Sequence, residues 1–410
     1  MSELINNRQQ RRETLKQIIR DIHQNQDPQE LKERFKTLIK DVGPTEISQL
    51  EQELIAEGLP EQEIKRLCDV HVAVFKESLD QQPKPEDTPG HPIHTFKKEN
   101  GALEQVVGAL RAIFDALKIE GPEPNLLAHW AEQHHKLLQL ERHYSRKENI
   151  LFPFLESHGV SGPPAVMWSI QDDIRAQLKQ ISQFLEKRSV SSTELDDFLD
   201  ATALPALQAI SEMIYKEDNI MFPMSMETLS EAEWAKILQQ SDELGYCLVE
   251  PDQGWQPSPD ANADVSGPSS EPNSVSGTLK FATGILGLNE ISAIFDHLPV
   301  DVTYVDKDNR VKYFSAAKDR VFPRTPAIIG RTVQNCHPPD SVHVVNKIVD
   351  DFRAGRRDHA DFWLNVNDRF IYIRYFAVRD VAGVYMGTLE VTQDVTEVRQ
   401  LQGERRILND

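Results

Sequence analysis

The segment His94-Thr-Phe-Lys-Lys-Glu-Asn100 returns as His143-Tyr-Ser-Arg-Lys-Glu-Asn149. A third copy, Met213-Ile-Tyr-Lys-Glu-Asp-Asn219, carries methionine where histidine stood. Six of the thirteen histidines fall between positions 91 and 143. Imidazole and carboxylate groups turned into a helical bundle can hold iron, manganese or zinc, so these repeats are candidates for a metal site. Spacing constrains how. Residues four apart on a helix lie about 40° apart and can share an ion, whereas five apart is about 140°. His94 to Glu99 and His143 to Glu148 are both five apart, and the residues four on, Lys98 and Lys147, cannot ligate while protonated. Each pair would therefore serve two ions, or one ion and a bridging carboxylate. The alternative is a charged surface pattern beside an apolar stripe. The shared continuations ILFPFLE (150–156) and IMFPMSME (220–227) favour a site.

A second cluster lies near the C-terminus. Cys336 and His337 precede two prolines, and His343 follows. Any of the three could ligate haem, and a thiol there could report oxidation. Equally, Cys-His-Pro-Pro would end one helix and start the next, with His343 on its surface. Cys68 and His71 share a helix face but lack a second pair, which favours packing over metal. His91 reads as a cap ahead of Pro92, and His129, His134 and His135 as partly exposed helix residues.

These residues need elements to position them. Residues 10–80 read as an all-α block, with LKQIIRDI, LKERFKTLI, ISQLEQELIAEG and IKRLCDVHVAVF at helical spacing. Residues 91–245 read as a four-helix bundle with helices near 92–117, 123–157, 163–187 and 194–224, then a last helix near 230–242. The Pro, Ser and Gly-rich stretch 251–277 reads as a flexible linker. After it the apolar period falls to two: VTYVDKDNRVKYFS, HADFWLNV, RFIYIRYFAVRD and VYMGTLEVTQDV predict strands, and VHVVNKIVDDFRAG a helix, giving an α+β domain over 284–400. Trp363, Tyr372, Tyr375 and Phe376 fall in those strands as expected core. The net charge of −20 argues against nucleic acid and anionic membranes. Three scattered cysteines, an N-terminus without an apolar core and no eighteen-residue apolar run predict a cytoplasmic protein with no membrane span.

HYSRKENILFPFLE followed by MIYKEDNIMFPM resembles the hemerythrin-like HHE bundle, which holds a non-haem di-iron centre. That resemblance implies His94 as the first-helix ligand, His143 as the second-helix histidine, and Asp218, with Glu217 beside it, as the fourth-helix carboxylate. The chain departs from the pattern where Lys147 stands for the second-helix carboxylate, Trp168 and Asp172 lie near the third-helix histidine positions, and Met213 replaces the fourth-helix histidine. Two readings stay open: a remodelled centre using His94, His143, Glu99, Glu148, Asp172 and Glu217 or Asp218, or a bundle without metal.

LNEISAIFDHLPVDVTYVDKDNRVKYFS and the ending GTLEVTQDVTEVRQL resemble a PAS sensor domain, implying a five-stranded antiparallel sheet, a small ligand, haem, flavin or redox state as signal, and dimerisation. IAEGLPEQEIKRLCDVHVAVF resembles a helical domain of unknown function that precedes hemerythrin-like and PAS modules in prokaryotic proteins. The expected fold is thus multidomain: all-α block, hemerythrin-like bundle, α+β PAS domain. The expected function is a cytoplasmic sensor or regulator of oxygen, nitric oxide or redox state, with a protein partner or a second copy as output and no catalytic residues assigned. A non-haem iron oxidoreductase or peroxidase-like enzyme and a metal-free interaction scaffold are the alternatives.

Overall fold

The computed structural model describes residues 88–257 and 277–403, apart from 188, 282, 318, 319 and 367, together with Gln17 and Glu57. The N-terminal block, with Cys68 and His71, lies outside the described residues. The chain divides into two compact units, Met1–Val265 and Ser266–Asp410.

In the first unit, helix α1 spans Pro92–Glu120. The side chain of His91 accepts from the Ile93 N–H at 3.2 Å, capping the helix just before a proline that has no amide hydrogen to satisfy. The second rod is α2 (Pro124–Leu137), α3 (Leu140–Arg146), a π turn (Lys147–Leu151) and α4 (Phe152–Ser157). Helix α5, Gly162–Leu185, is the third. The fourth comprises α6 (Ser192–Phe198), a π turn (Leu199–Ala203), α7 (Leu204–Lys216), a π turn (Glu217–Met221) and α8 (Phe222–Thr228), followed by α9 (Glu231–Leu244).

Each π turn ends two residues before a proline: Pro153, Pro205 and Pro223. Proline lacks an N–H, and its ring crowds the carbonyl four residues back. A turn widened to the i→i+5 pattern absorbs that crowding without breaking the rod. The second and third copies of the repeat therefore run into π turns, whereas the first sits in the regular helix α1.

The bundle core is built at one end from Trp130, Phe114, Phe184 and Phe198, with the last two rings stacked at 3.9 Å. Elsewhere Phe96 packs between Phe222 and the His143 ring. Helix α9 starts with a capping box: Glu233 N–H donates to Ser230 Oγ at 3.4 Å, and Ser230 N–H donates to Glu233 Oε2 at 2.8 Å. Ser230→Ala should cost about 1 kcal/mol in urea unfolding. No measurable change would show that the box contributes nothing here. Residues 251–257, read as the start of the linker, fold back instead, with Trp255 N–H donating to the Pro89 carbonyl at 2.8 Å.

The second unit opens with a hairpin, β1 (Thr278–Phe281) and β2 (Gly284–Gly287), and helix α10 (Leu288–His297). Strands β3 (Asp301–Asp306), β4 (Val311–Phe314), β5 (His359–Val366), β6 (Arg369–Arg379) and β7 (Tyr385–Asp394) form one antiparallel sheet in the order β4-β3-β7-β6-β5. Helix α11, Val342–Arg353, precedes β5. The β3–β4 turn is set by Asp306, whose Oδ1 accepts from the N–H groups of Asp308 and Arg310, while Asn309 takes φ +64°. Thr396, in the Asp-Val-Thr ending, donates to Asp394 and accepts the Phe370 N–H, tying the end of β7 to β6. Trp363, expected in the core, is 65% exposed, because it lies on β5, an edge strand of the sheet. Among the described residues no helix is long and apolar enough to cross a membrane.

Candidate functional site

Two places in the chain gather polar groups out of water. The first is inside the bundle and centres on His143, which is fully buried. Its Nδ1 lies 2.7 Å from Glu99 Oε2 and its Nε2 lies 2.9 Å from Glu217 Oε2. Both neighbours are acceptors, so both ring nitrogens are called on to donate and neither keeps a lone pair for a metal. Arg146 grips Glu99 with two hydrogen bonds, 2.9 and 2.8 Å, and the Cys247 N–H donates to Glu99 Oε1 at 2.6 Å. Lys147 pairs with Glu217 Oε1 and lies 4.5 Å from the centre of the Tyr144 ring. Arg175, on α5, binds Glu148 through two bonds of 2.8 and 2.9 Å and reaches Asp172 at 2.9 Å. The Gln171 amide, oriented to satisfy both neighbours, donates to Glu148 Oε1 at 2.7 Å and accepts from Lys147 Nζ at 2.8 Å.

Four carboxylates (Glu99, Glu148, Asp172 and Glu217) thus face three side-chain cations and one imidazole. Their protonation follows from that company. Burial alone would raise Glu217, but Lys147 and His143 together hold its carboxyl down at about 2. Glu99 is likewise lowered: burial opposes, and His143, Arg146 and the Cys247 amide prevail. Burial pushes Glu148 up to about 7 against the pull of Arg175, and lowers the Lys147 ammonium despite Glu217.

The sequence candidates separate accordingly. His143, Glu99 and Glu217 come together, and Glu148 joins Asp172 at Arg175. His94 does not join them: its Nδ1 lies 3.6 Å from Asp252 Oδ2, beyond hydrogen-bond range, beside the Lys98–Asp252 pair. Asp218 instead accepts from Asn100 Nδ2 at 3.0 Å. Among the described residues, no three His, Cys, Asp or Glu groups converge as metal ligands. The donor set as placed does not fit the non-haem iron that the family resemblance implies, because every carboxylate proposed for it holds a protein donor and the histidine turns both nitrogens to carboxylates. Spacing along one helix does not mark Arg146, Arg175 or Gln171. The signal available was the basic pair Arg146-Lys147 directly before Glu148.

The second place is a cavity of about 150 Å³ in the second unit, between α11 and the sheet. Its walls are apolar, from Val305, Val344, Val345, Ile348 and Phe362, and its polar groups are His337, Ser341, Tyr375, Thr388 and Glu390. His337 Nδ1 lies 2.8 Å from the Val333 carbonyl, so it carries the proton and Nε2 keeps the lone pair. Of the three residues singled out by chemistry, His337 lines this cavity. Cys336 packs against the cluster of Val305, Val311 and Ile328, and His343 is exposed on the first turn of α11. The enclosed part of this pocket is comparable in size to a cavity that holds a benzene ring. Tyr375, expected from its strand as core, is one of the cavity's walls, and Glu390 joins it there without a sequence motif to mark it.

Comparison with known proteins fits this division. The family model for the hemerythrin HHE cation binding domain matches residues 91–225, that for a PAS domain matches 291–396, and that for a family of unknown function, DUF438, matches 15–81. Among solved structures, a C-terminal domain from Streptococcus mutans is 35% identical over 31% of this chain and 98% of its own, with a TM-score of 0.30. The PAS domain of BvgS from Bordetella pertussis is 20% identical over 28% of this chain and 89% of its own, with a TM-score of 0.23. A sensory box sensor histidine kinase from Vibrio cholerae is 14% identical over 26% and 89%, with a TM-score of 0.21. No match was found among the curated proteins.

Proposed function

We propose that this protein, which carries a DUF438 region, a hemerythrin HHE domain and a PAS domain in that order, is a sensor or regulator whose PAS cavity takes up a small organic ligand. The observation that carries the reading is the cavity itself: apolar walls enclosing a few convergent polar groups are the usual form of a small-molecule site. The bundle, in this reading, is held together by its own arginines and lysine and does not depend on iron for its centre. Oxygen or nitric oxide sensing through a di-iron group would need the carboxylates that Arg146, Lys147 and Arg175 occupy. Output by contact with a protein partner or a second copy is supported by apolar side chains exposed on the PAS unit, among them Ile294, Trp363 and Met386.

Two measurements test the halves separately. Untagged protein from iron-replete, anaerobic preparation should contain well below one iron per chain; a stoichiometric iron content lost in His143→Ala would overturn the reading of the bundle. For the cavity, the full chain is melted in the presence of a library of small aliphatic and aromatic fragments. Some fragments should raise the melting temperature, as ligand binding to the folded state requires, and Ile348→Trp, which fills the cavity, should remove those shifts. A library with no shift sensitive to Ile348→Trp would overturn the sensor reading.

A further inference from the structure

The polar groups of the PAS cavity are unevenly matched, and that imbalance names a ligand class. Glu390 sits in the middle of β7, opposite Thr303 on β3 and Tyr375 on β6. It is 9% exposed, yet among the described residues its hydrogen bonding is a single long bond from Thr392 Oγ1, 3.4 Å. The neighbouring Thr303 Oγ1 is buried with no partner. Arg324, whose charge reaches Tyr375 and His337, directs Nη1 to the Pro323 carbonyl at 3.1 Å. Of the cavity's hydroxyls, Ser341 donates to the Pro338 carbonyl and Thr388 shares a bond with Tyr385. Of the cavity's lining, Glu390 is a carboxylate met by one long bond, and His337 keeps the lone pair of Nε2.

A carboxylate removed from water is costly unless a cation or strong donors meet it. The bundle meets each of its buried carboxylates with an arginine, lysine or histidine at hydrogen-bond distance; among the described residues Glu390 makes no such close ion pair, and Arg320 acts on its charge only from further away. We propose that the missing partner is the ligand: a small organic cation, a protonated amine on an apolar body of about benzene's size. The ammonium would donate to Glu390 and to His337 Nε2, while the body packs against Ile348, Val345 and the rings of Phe362 and Tyr375. An organic anion of the same shape would meet the Glu390 carboxylate, with neutral hydroxyls such as that of Tyr375 and no cation of the cavity's lining to replace its hydration. This inference rests on the reading of the cavity as a ligand site and narrows it.

Three probes of nearly one shape decide the matter by titration calorimetry on the full chain at pH 7: benzylamine, benzyl alcohol and benzoate. Benzylamine should bind at least tenfold more tightly than benzyl alcohol, with benzoate weakest. Glu390→Gln, which keeps the side chain's size, should weaken benzylamine tenfold or more and benzyl alcohol by far less. Benzoate or benzyl alcohol binding as well as benzylamine would overturn the cation class, as would benzylamine binding that survives Glu390→Gln, or no binding by any of the three. Should Glu390→Gln fail to fold, the rank order on the wild-type chain decides by itself. If benzyl alcohol or benzoate binds and Ile348→Trp abolishes it, the cavity remains a ligand site and only the cation class falls.

Discussion

Replacing Glu217 with alanine is expected to destabilise the bundle by about 3–5 kcal/mol, the usual cost of removing one partner from a buried ion pair. The reason is what stays behind. Lys147 and His143 are both fully buried, and Glu217 is the carboxylate that accepts from Lys147 Nζ and from His143 Nε2. Without it Lys147 retains the Gln171 oxygen and the face of Tyr144, neither of which carries a full negative charge. Urea unfolding followed at the helical circular-dichroism signal measures the loss. A double-mutant cycle then separates charge from packing: adding Lys147→Met removes the stranded ammonium, so the double variant should be more stable than Glu217→Ala alone. A loss below about 1 kcal/mol, or a double variant worse than both singles, would contradict an ion-paired centre.

The same pair predicts an acid limb. The Glu217 carboxyl is held at about 2, against an ordinary value of 4.5. A depressed carboxylate contributes stability that is fully present above pH 4.5 and is lost as pH falls through 2, on the order of 3 kcal/mol in total. Glu217→Gln keeps a hydrogen-bonding side chain but cannot titrate, so its stability should fall less steeply between pH 4.5 and 2 than that of the wild type.

What could be read in the sequence, and what could not, follows from where the determining forces act. The order of helical and β modules is local information: the apolar period falls from 3.6 to two after the proline-rich stretch, and a single chain segment is enough to show it. His143, Glu99 and Glu217 were legible because a repeated motif marks them. Their partners were not, for two reasons. Spacing predicts faces only for a uniform α-helix, whereas the chain runs into π turns at Lys147 and Glu217, and the first of these buries the adjacent residues Lys147 and Glu148 together. Arg175 then reaches Glu148 from another helix, a contact that no spacing within one helix encodes. In the PAS unit the obstacle was the binary pattern. Strand β7 buries Thr388, Glu390 and Thr392 while Leu389 and Val391 stay half-buried, the reverse of the alternation that marks an ordinary core strand. That inversion was present in GTLEVTQDV, and it is the signal by which a polar-lined interior could have been found ahead of the more conspicuous Cys336-His337.

Gly387 gives the second large effect, and it tests the sheet that shapes the cavity. This glycine sits in β7 with Asp306 of β3 on one side and Val378 of β6 on the other, beside the point where the β6–β7 register shifts. Its φ is +156°, and a β-carbon there would come within 2.1 Å of the Val305 carbonyl oxygen and 2.9 Å of the Tyr304 hydroxyl. The first obstacle is backbone, so no rotamer change relieves it. β7 must separate from β3, or β3 must shift and carry Val305, a wall of the cavity, with it. Gly387→Ala should therefore cost about 3 kcal/mol or more, combining an unfavourable φ with loss of central ladder bonds. Gly355→Ala is the matched control: its φ is +70°, but a β-carbon there meets nothing within 4 Å, so only the left-handed backbone penalty of about 1–2 kcal/mol applies. Hydrogen exchange on the full chain should show β3 and β7 amides losing protection in Gly387→Ala and retaining it in Gly355→Ala, with the bundle's amides unchanged in both. Equal behaviour of the two variants would mean that the close approach of β3 and β7 at this glycine does not hold the sheet together.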